Sequence, residues 1–239
     1  MGAEVNSAVS GVCDAERTHR IEKPANFDRL AALYRWMEWC SFGPFLSWCR
    51  CAFLSHLRDR RRGLVLGDGD GRFTARLLRE NPHIRIDAVD ASAAMLRRLA
   101  RRGSRQGAGR VRTFRADART WQPASDGYDL IATHFFLDCL TTEEVRALAL
   151  KLRAAAAPGA VWVVSEFAEP ANGLGRLFAR PVVASLYWAF ACMTGLRVRR
   201  LPQHGAALRE AGFALARRKT WLGGMLASER WTPSSSTGS

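Results

Sequence analysis

Short apolar runs alternate with amphipathic segments through the middle of this chain. Residues 63–67 (GLVLG), 84–90 (IRIDAVD), 111–117 (VRTFRAD), 128–134 (YDLIATH) and 160–167 (AVWVVSEF) read as strands. Between them, RFTARLLRE, the segment opening DASAAMLRRLARR and TTEEVRALALKLRAAAA carry a helical spacing, the last with a threonine cap and early acids. This alternation predicts an α/β fold, a doubly wound, mostly parallel sheet with helices on both faces. Ahead of it, Phe27, Leu30, Ala31, Tyr34 and Met37 follow a helical spacing, FGP at 42–44 interrupts it, and residues 45–57 resume as a second, strongly apolar helix. Beyond Phe167 come an uncharged stretch at 181–196, a helix near QHGAALREAG, and two β-like runs, FALARRKTW and GMLASERW. The expected division is a disordered segment over 1–24 and an N-terminal helical cap over 25–60. A main domain follows over 61–231, with an apolar insertion at 169–200, and a disordered tail over 232–239.

Composition changes this picture in few places. The 239 residues are 48% apolar and 24% charged, an ordinary balance for one globular unit with additions. The net charge of +14 is unusual and raises nucleic acid or an anionic membrane surface as partners. Of 36 basic residues only Lys23, Lys151 and Lys219 are lysine, and the 33 arginines are scattered apart from RDRRR at 58–62, which fits a genomic composition bias equally well. Six cysteines show no metal-ligand spacing, so no metal is expected. No secretory signal opens the chain, and a cytoplasmic, reducing location is the expectation. The stretch at 181–196 is shorter than the roughly 20 residues that span a bilayer. Peripheral membrane contact, or cover for a pocket, stays open for it.

Candidate chemistry gathers where the strands end, the place at which parallel α/β sheets bind ligands. Gly67, Gly69 and Gly71, in GDGDG, follow the first strand and open the first helix, letting the backbone turn tightly and approach a ligand. Asp90 ends the second strand, 19 residues after Gly71, where an acid accepts from both hydroxyls of a ribose or caps the helix that follows. Ala91 adjoins it, and Met95 offers a soft face to an adenine or fills the core. Asp117 ends the third strand, where its carboxylate suits an adenine amine and the Ala118 N–H a ring nitrogen. Together these describe an adenosine pocket. Arg72 stands where a glycine would complete G-x-G-x-x-G, which argues against a nicotinamide cofactor.

In this order the features resemble the class I S-adenosylmethionine-dependent methyltransferase family over about residues 60–167, and the two closing runs fit its antiparallel end. VLGDGDG is similar to the family's glycine-rich motif, AVDASAAML to its ribose-binding acid and helix, FRADA to its adenine motif, and YDLIATHFFLDCL to its fourth strand and the loop facing donor and acceptor. The resemblance implies a Rossmann-like methyltransferase fold of seven strands with S-adenosyl-L-methionine as cofactor. It also implies donor contacts at Gly67, Asp68, Gly69, Asp70, Gly71, Asp90, Ala91, Met95, Asp117, Ala118 and Thr133. One departure is plain: the acid usual two residues before the first glycine is replaced by Val65, and Asp68 or Asp70 would have to compensate.

Methyl transfer from a sulfonium asks the protein chiefly to align the acceptor and exclude water. His134, ending the fourth strand, is the candidate base for a hydroxyl or amine acceptor, or else a residue that packs or hydrogen-bonds to the backbone. Asp138 would orient it or cap the next helix. His134, Phe135, Phe136, Tyr187 and Trp188, with Phe190, outline an apolar substrate chamber that Tyr34, Trp36, Trp39, Phe42, Phe45 and Trp48 could close. Such walls suit a small hydrophobic or aromatic acceptor. The competing readings are an RNA methyltransferase, suggested by the charge, and a non-catalytic S-adenosylmethionine-binding protein. Oligomeric state stays open.

Overall fold

The computed structural model of the protein describes residues 44–123, 127–168 and 202–234. The segments expected at 1–24, 27–37 and 169–200 lie outside the described residues, as do residues 235–239 of the tail expected over 232–239, whose first two residues belong to the last strand, and Tyr34, Trp36, Trp39, Phe42, Tyr187, Trp188 and Phe190.

Seven strands form one sheet: β1 (Arg62–Leu66), β2 (Arg85–Asp90), β3 (Val111–Arg115), β4 (Tyr128–His134), β5 (Ala156–Phe167), β6 (Phe213–Trp221) and β7 (Leu226–Pro233). Their order is β3-β2-β1-β4-β5-β7-β6. The first five run parallel, and β7 inserts antiparallel between β5 and β6. The strand order reverses at β1, so the crevice between the carboxyl ends of β1, β2 and β4 is where this topology admits a ligand. The mostly parallel seven-stranded α/β architecture agrees with the pattern read from the chain.

Helices cover both faces: α1 (Phe45–Arg50), α2 (Arg72–Glu80), α3 (Ala93–Ser104), α4 (Thr142–Ala155) and α5 (His204–Glu210). On one face Tyr128, Ile131, Trp162 and Trp231 pack under Val145, Leu148 and Leu152 of α4 and Leu208 of α5. On the other, Val65, Ile86, Leu130 and Val163 meet Phe73 and Leu77 of α2 and Leu99 of α3. The starts of these helices are chemically marked. Thr141 and Glu144 form a reciprocal capping box on α4, and the Ser92 hydroxyl accepts from the Met95 N–H at the start of α3.

Three differences from the pattern reading have local causes. The helix expected over 45–57 is α1 followed by a separate 3-10 turn (Leu54–Leu57), and the break lets Phe53 and Leu57 both sink into the sheet's core. Asn81 ties this segment down, its side-chain amide donating to the carbonyls of Leu57 and Arg60. β5 starts early, at Ala156, because a register shift after Tyr128 lets the strand pair there too. β3 stops at Arg115, since the Asp117 carbonyl already accepts from the Thr120 and Trp121 N–H groups in a turn.

Candidate functional site

The chain leaves β1 through Gly67, Gly69 and Gly71, all with positive φ (68°, 58° and 81°). Each glycine serves a different end. A Cβ on Gly67 would meet the Phe136 ring at 2.5 Å, and one on Gly71 would meet the Leu99 backbone at 2.6 Å. A Cβ on Gly69 would meet nothing within 4 Å, so the middle of the loop faces open space. The loop is thus pressed between the β4 loop and α3, with its backbone bare at the centre.

The two loop aspartates diverge. Asp70 turns to arginines, with Arg102 at 3.0 Å and Arg72 at 3.2 Å. Asp68 stays at the strand end, accepting from the Thr74 N–H at 2.9 Å, and burial holds its carboxyl above the usual carboxylate range. Val65, at the place where the family carries an acid, is 1% exposed in the core. Asp90 accepts from the Ser92 N–H at 2.8 Å and from the backbone N–H of Gly69. Burial, with the charge of Asp68 beside it, pushes Asp90 up to about 6. The helix-cap alternative for Asp90 therefore falls to Ser92, and Asp90 bridges the glycine loop to the start of α3. Ala91 is exposed beside it, and Met95 sits part-buried on the first turn of α3.

Beyond β3 the picture differs from expectation. The Asp117 carboxylate is gripped by the Arg119 guanidinium, both oxygens within 3.0 Å of a guanidinium nitrogen, and this pair holds it below the usual range. Asp117 therefore reaches an adenine amine only by loosening Arg119. Lys151 donates to the carbonyls of Ala118, Arg119 and Trp121, fixing the turn. Thr133, the penultimate residue of β4 beside Leu66, is buried, and its hydroxyl accepts from the Trp162 indole at 3.0 Å, so its side chain is committed to the core.

His134 is a correction. It is 3% exposed, edge-on to Phe73 at 4.3 Å between ring centroids, with Nδ1 2.9 Å from the Ser165 hydroxyl. Ser165 donates onward to the Cys49 carbonyl or to Ser228, so the histidine proton is assigned to Nδ1. Nε2 is then a buried, bare nitrogen with no partner among the described residues. Burial and the nearby positive charge of Arg50 push the ring down to about 3, so it is a poor proton acceptor at neutral pH. Asp138 neither orients His134 nor caps α4; those tasks belong to Ser165 and Thr141.

Asp138 instead meets a residue that sequence reasoning missed. Glu166, 2% exposed at the end of β5, accepts through Oε1 from the N–H groups of Phe136 (3.2 Å) and Leu137 (2.9 Å). Among the described residues its Oε2 is buried without a donor, and the Asp138 carboxyl lies within hydrogen-bonding reach of Glu166. Two desolvated carboxyls this close share a proton, and both stand above their ordinary range, Asp138 because of burial and Glu166 because of burial and the Asp138 charge beside it. The detectable signal was an acid closing the otherwise apolar run AVWVVSEF. Glu166 also shapes the β4 loop, where Phe135 adopts φ 53°, uncommon for a bulky residue, with Arg50 stacked 5.1 Å over its ring. Phe135 and Phe136 thus flank the glycine loop.

The carboxyl ends of β1, β2, β4 and β5 therefore gather Asp68, Asp90, Asp138 and Glu166 in a chain of net charge +14. Such a cleft suits a ligand bearing hydroxyl donors and positive charge and repels phosphates. Residues 64–159 match the family model described as a methyltransferase domain. A 73-residue segment is 34% identical to malonyl-[acyl-carrier protein] O-methyltransferase of Paenibacillus sp. (strain JDR-2), covering 30% of this chain and 26% of that protein's length. Among solved structures, the S-adenosylmethionine-dependent methyltransferase SibL superposes with a TM-score of 0.63 at 22% identity, over 89% of this chain and 63% of that one. The N-methyltransferase NodS of Bradyrhizobium japonicum, in complex with S-adenosyl-L-homocysteine, superposes at 0.55 with 16% identity, over 79% and 84% of the two chains.

Proposed function

We propose that the chain, whose residues 64–159 match a methyltransferase domain, is a class I S-adenosylmethionine-dependent methyltransferase and that it transfers the methyl group of S-adenosyl-L-methionine to a small hydrophobic or aromatic acceptor bearing a hydroxyl or amine. The observation that carries this reading is the open Gly69 backbone beside the desolvated carboxyls of Asp68 and Asp90. These residues fit the donor: Asp90 stands ready for ribose hydroxyls, and Asp68 takes the amino group that Val65 cannot. Asp117, released from Arg119, and Met95 and Ala118 border the adenine. The donor, when bound, supplies a methyl group already activated by the positive sulfur.

The chain's own residues then align the acceptor and move one proton. Phe135 and Phe136 form an apolar wall that excludes water beside the glycine loop. Asp138 takes the acceptor's proton on a carboxylate oxygen, because Glu166 keeps the shared proton on Oε2 and leaves Asp138 the charged member of the pair. His134, neutral and buried, supports the β4 terminus through Ser165. A reducing, cytoplasmic setting is in keeping with the free thiols of Cys49, Cys51 and Cys139, and among the described residues no helix is long and apolar enough to cross a membrane.

The test uses the full chain with methyl-labelled donor and cell extract, fractionated into RNA, protein and organic-soluble material. Label in the organic-soluble fraction is the expected result. Label confined to RNA would overturn the acceptor class, and no label in any fraction would favour a non-catalytic binding protein.

A further inference from the structure

The opposite end of the sheet carries chemistry that methyl transfer does not use. At the amino ends of β1, β2 and β3 a cleft of about 380 Å³ is lined by Arg61, Arg62, Arg85, Arg110 and Arg112, with Asp87 as its one acid. That volume falls within the range of small-molecule sites, roughly 300–1,000 Å³.

Local structure accounts for only part of this charge. Arg110 closes two helix ends, donating to the carbonyls of Leu78 and Asn81 (both 3.0 Å) after α2 and of Gln106 after α3. Arg112 pairs bidentately with Asp87, both contacts 2.7 Å, and the Tyr128 hydroxyl donates to the same carboxylate at 2.7 Å. Asp87 is thereby fully engaged by Arg112 and Tyr128, with the Arg62 charge also acting on it, and it is the single acid among the cleft's described lining residues. Arg62 stacks 5.2 Å over the Tyr128 ring. The nearby Asp129 carboxylate accepts from the backbone N–H groups of Arg61 and Arg62, and so fixes the backbone from which their side chains project. Arg61 and Arg85 have no carboxylate partner among the described residues.

The register sharpens the point. Arg62 and Arg85 are directly opposed on neighbouring strands. Like charges set side by side at the starts of neighbouring strands repel. An anion seated between them reverses that sign. Guanidinium forks match phosphate oxygens two at a time, and several forks converging on one cleft favour a ligand with more than one negative charge.

From this cleft we infer that the protein binds a phosphate-bearing polyanion at the amino ends of β1–β3, at the end of the sheet opposite the methyl-transfer cleft. Arg61 and Arg85 grip it, Arg62 stands between them, and Arg110 and Arg112 form the fixed wall. The inference does not depend on the acceptor proposed above.

Calorimetric titration of the full chain tests it, with inorganic pyrophosphate as the first probe and ADP as the second. The expected result is one pyrophosphate per chain, with affinity reduced at least tenfold in the double variant R61Q/R85Q. Its affinity for S-adenosylhomocysteine should stay within twofold of the parent. The charge-preserving R61K/R85K should lose binding too, because ammonium groups lack the fork. Equal affinity for pyrophosphate and ADP identifies a phosphate site, and tighter ADP binding identifies a nucleotide site. Several weak pyrophosphates per chain, or binding untouched by both double variants, would overturn the inference. So would a short RNA oligomer that binds where pyrophosphate does not, which would mark the cleft as part of a nucleic-acid track.

Discussion

Four carboxyls and one imidazole set the chemistry at the strand ends, and burial decides the role of each. Asp138→Asn should lower kcat about 10²-fold or more, within the range general bases contribute, while leaving affinity for S-adenosylhomocysteine unchanged. Its pH–rate profile, measured beside the parent's, should lose the acid limb that ionisation of the Asp138–Glu166 pair imposes. A variant with the parent's limb would remove Asp138 from the proton path. His134 makes a different, thermodynamic prediction. Folding lowers its pKa from about 6.5 in the open chain to about 3. Between these values the unfolded state binds more protons, so this residue's stabilising contribution is present above about pH 6.5 and is lost as pH falls toward 3. Asp90, raised to about 6, acts in the opposite direction between about pH 4 and 6. The His134→Gln variant isolates the histidine: its chemical-denaturation stability should fall less steeply than the parent's from pH 6.5 to 4. Equal slopes would contradict the neutral, buried assignment. Sequence alone favoured His134 as the base because position and ordinary pKa were all it could offer. The packing of Phe73 and Ser165 around the ring, which decides the matter, comes from residues 61 and 31 positions away.

At the level of elements, the glycine loop and the β4 loop form one unit. The three glycines should therefore respond differently to alanine. Gly71→Ala places a methyl against the Leu99 backbone and should cost the most stability, about 1–3 kcal/mol. Gly67→Ala displaces the Phe136 ring and should weaken S-adenosylhomocysteine binding more than it lowers Tm. Gly69→Ala meets open space and carries only the strain of a positive φ, about 1 kcal/mol. Thermal melts and calorimetry on the three variants check this order; uniform losses would mean the loop acts only as a turn. Helix starts were legible in the chain, since the Thr141 cap and early acids of α4 are local signals. Thr141→Ala should cost about 1 kcal/mol by denaturant titration. The long reach of Glu166 was not legible. Its hydrogen bonds to Phe136 and Leu137 span about 30 residues and exist only because β4 and β5 are neighbours. Likewise the pairing of Asp117 with Arg119 depends on a turn that its two-residue spacing permits but does not dictate.

Across the described residues, buried acids collect at the carboxyl ends of the strands, and arginines line the cleft at the amino ends of β1–β3. Net charge read from composition hid this, because it sums both ends into a single +14. The strand–helix alternation was enough to foresee the parallel sheet, and the family resemblance implied the antiparallel edge that the two closing β runs form. Placing β7 between β5 and β6 required the structure. The central claim is that the carboxyl-end cleft holds the methyl donor through Asp68 and Asp90. Its most direct measurement is calorimetric titration of the full chain with S-adenosylhomocysteine, beside Asp68→Asn and Asp90→Asn. The account predicts one ligand per chain and at least tenfold weaker binding in each variant, with melting curves close to the parent's. Binding of equal strength in all three proteins, or none in the parent, would contradict it.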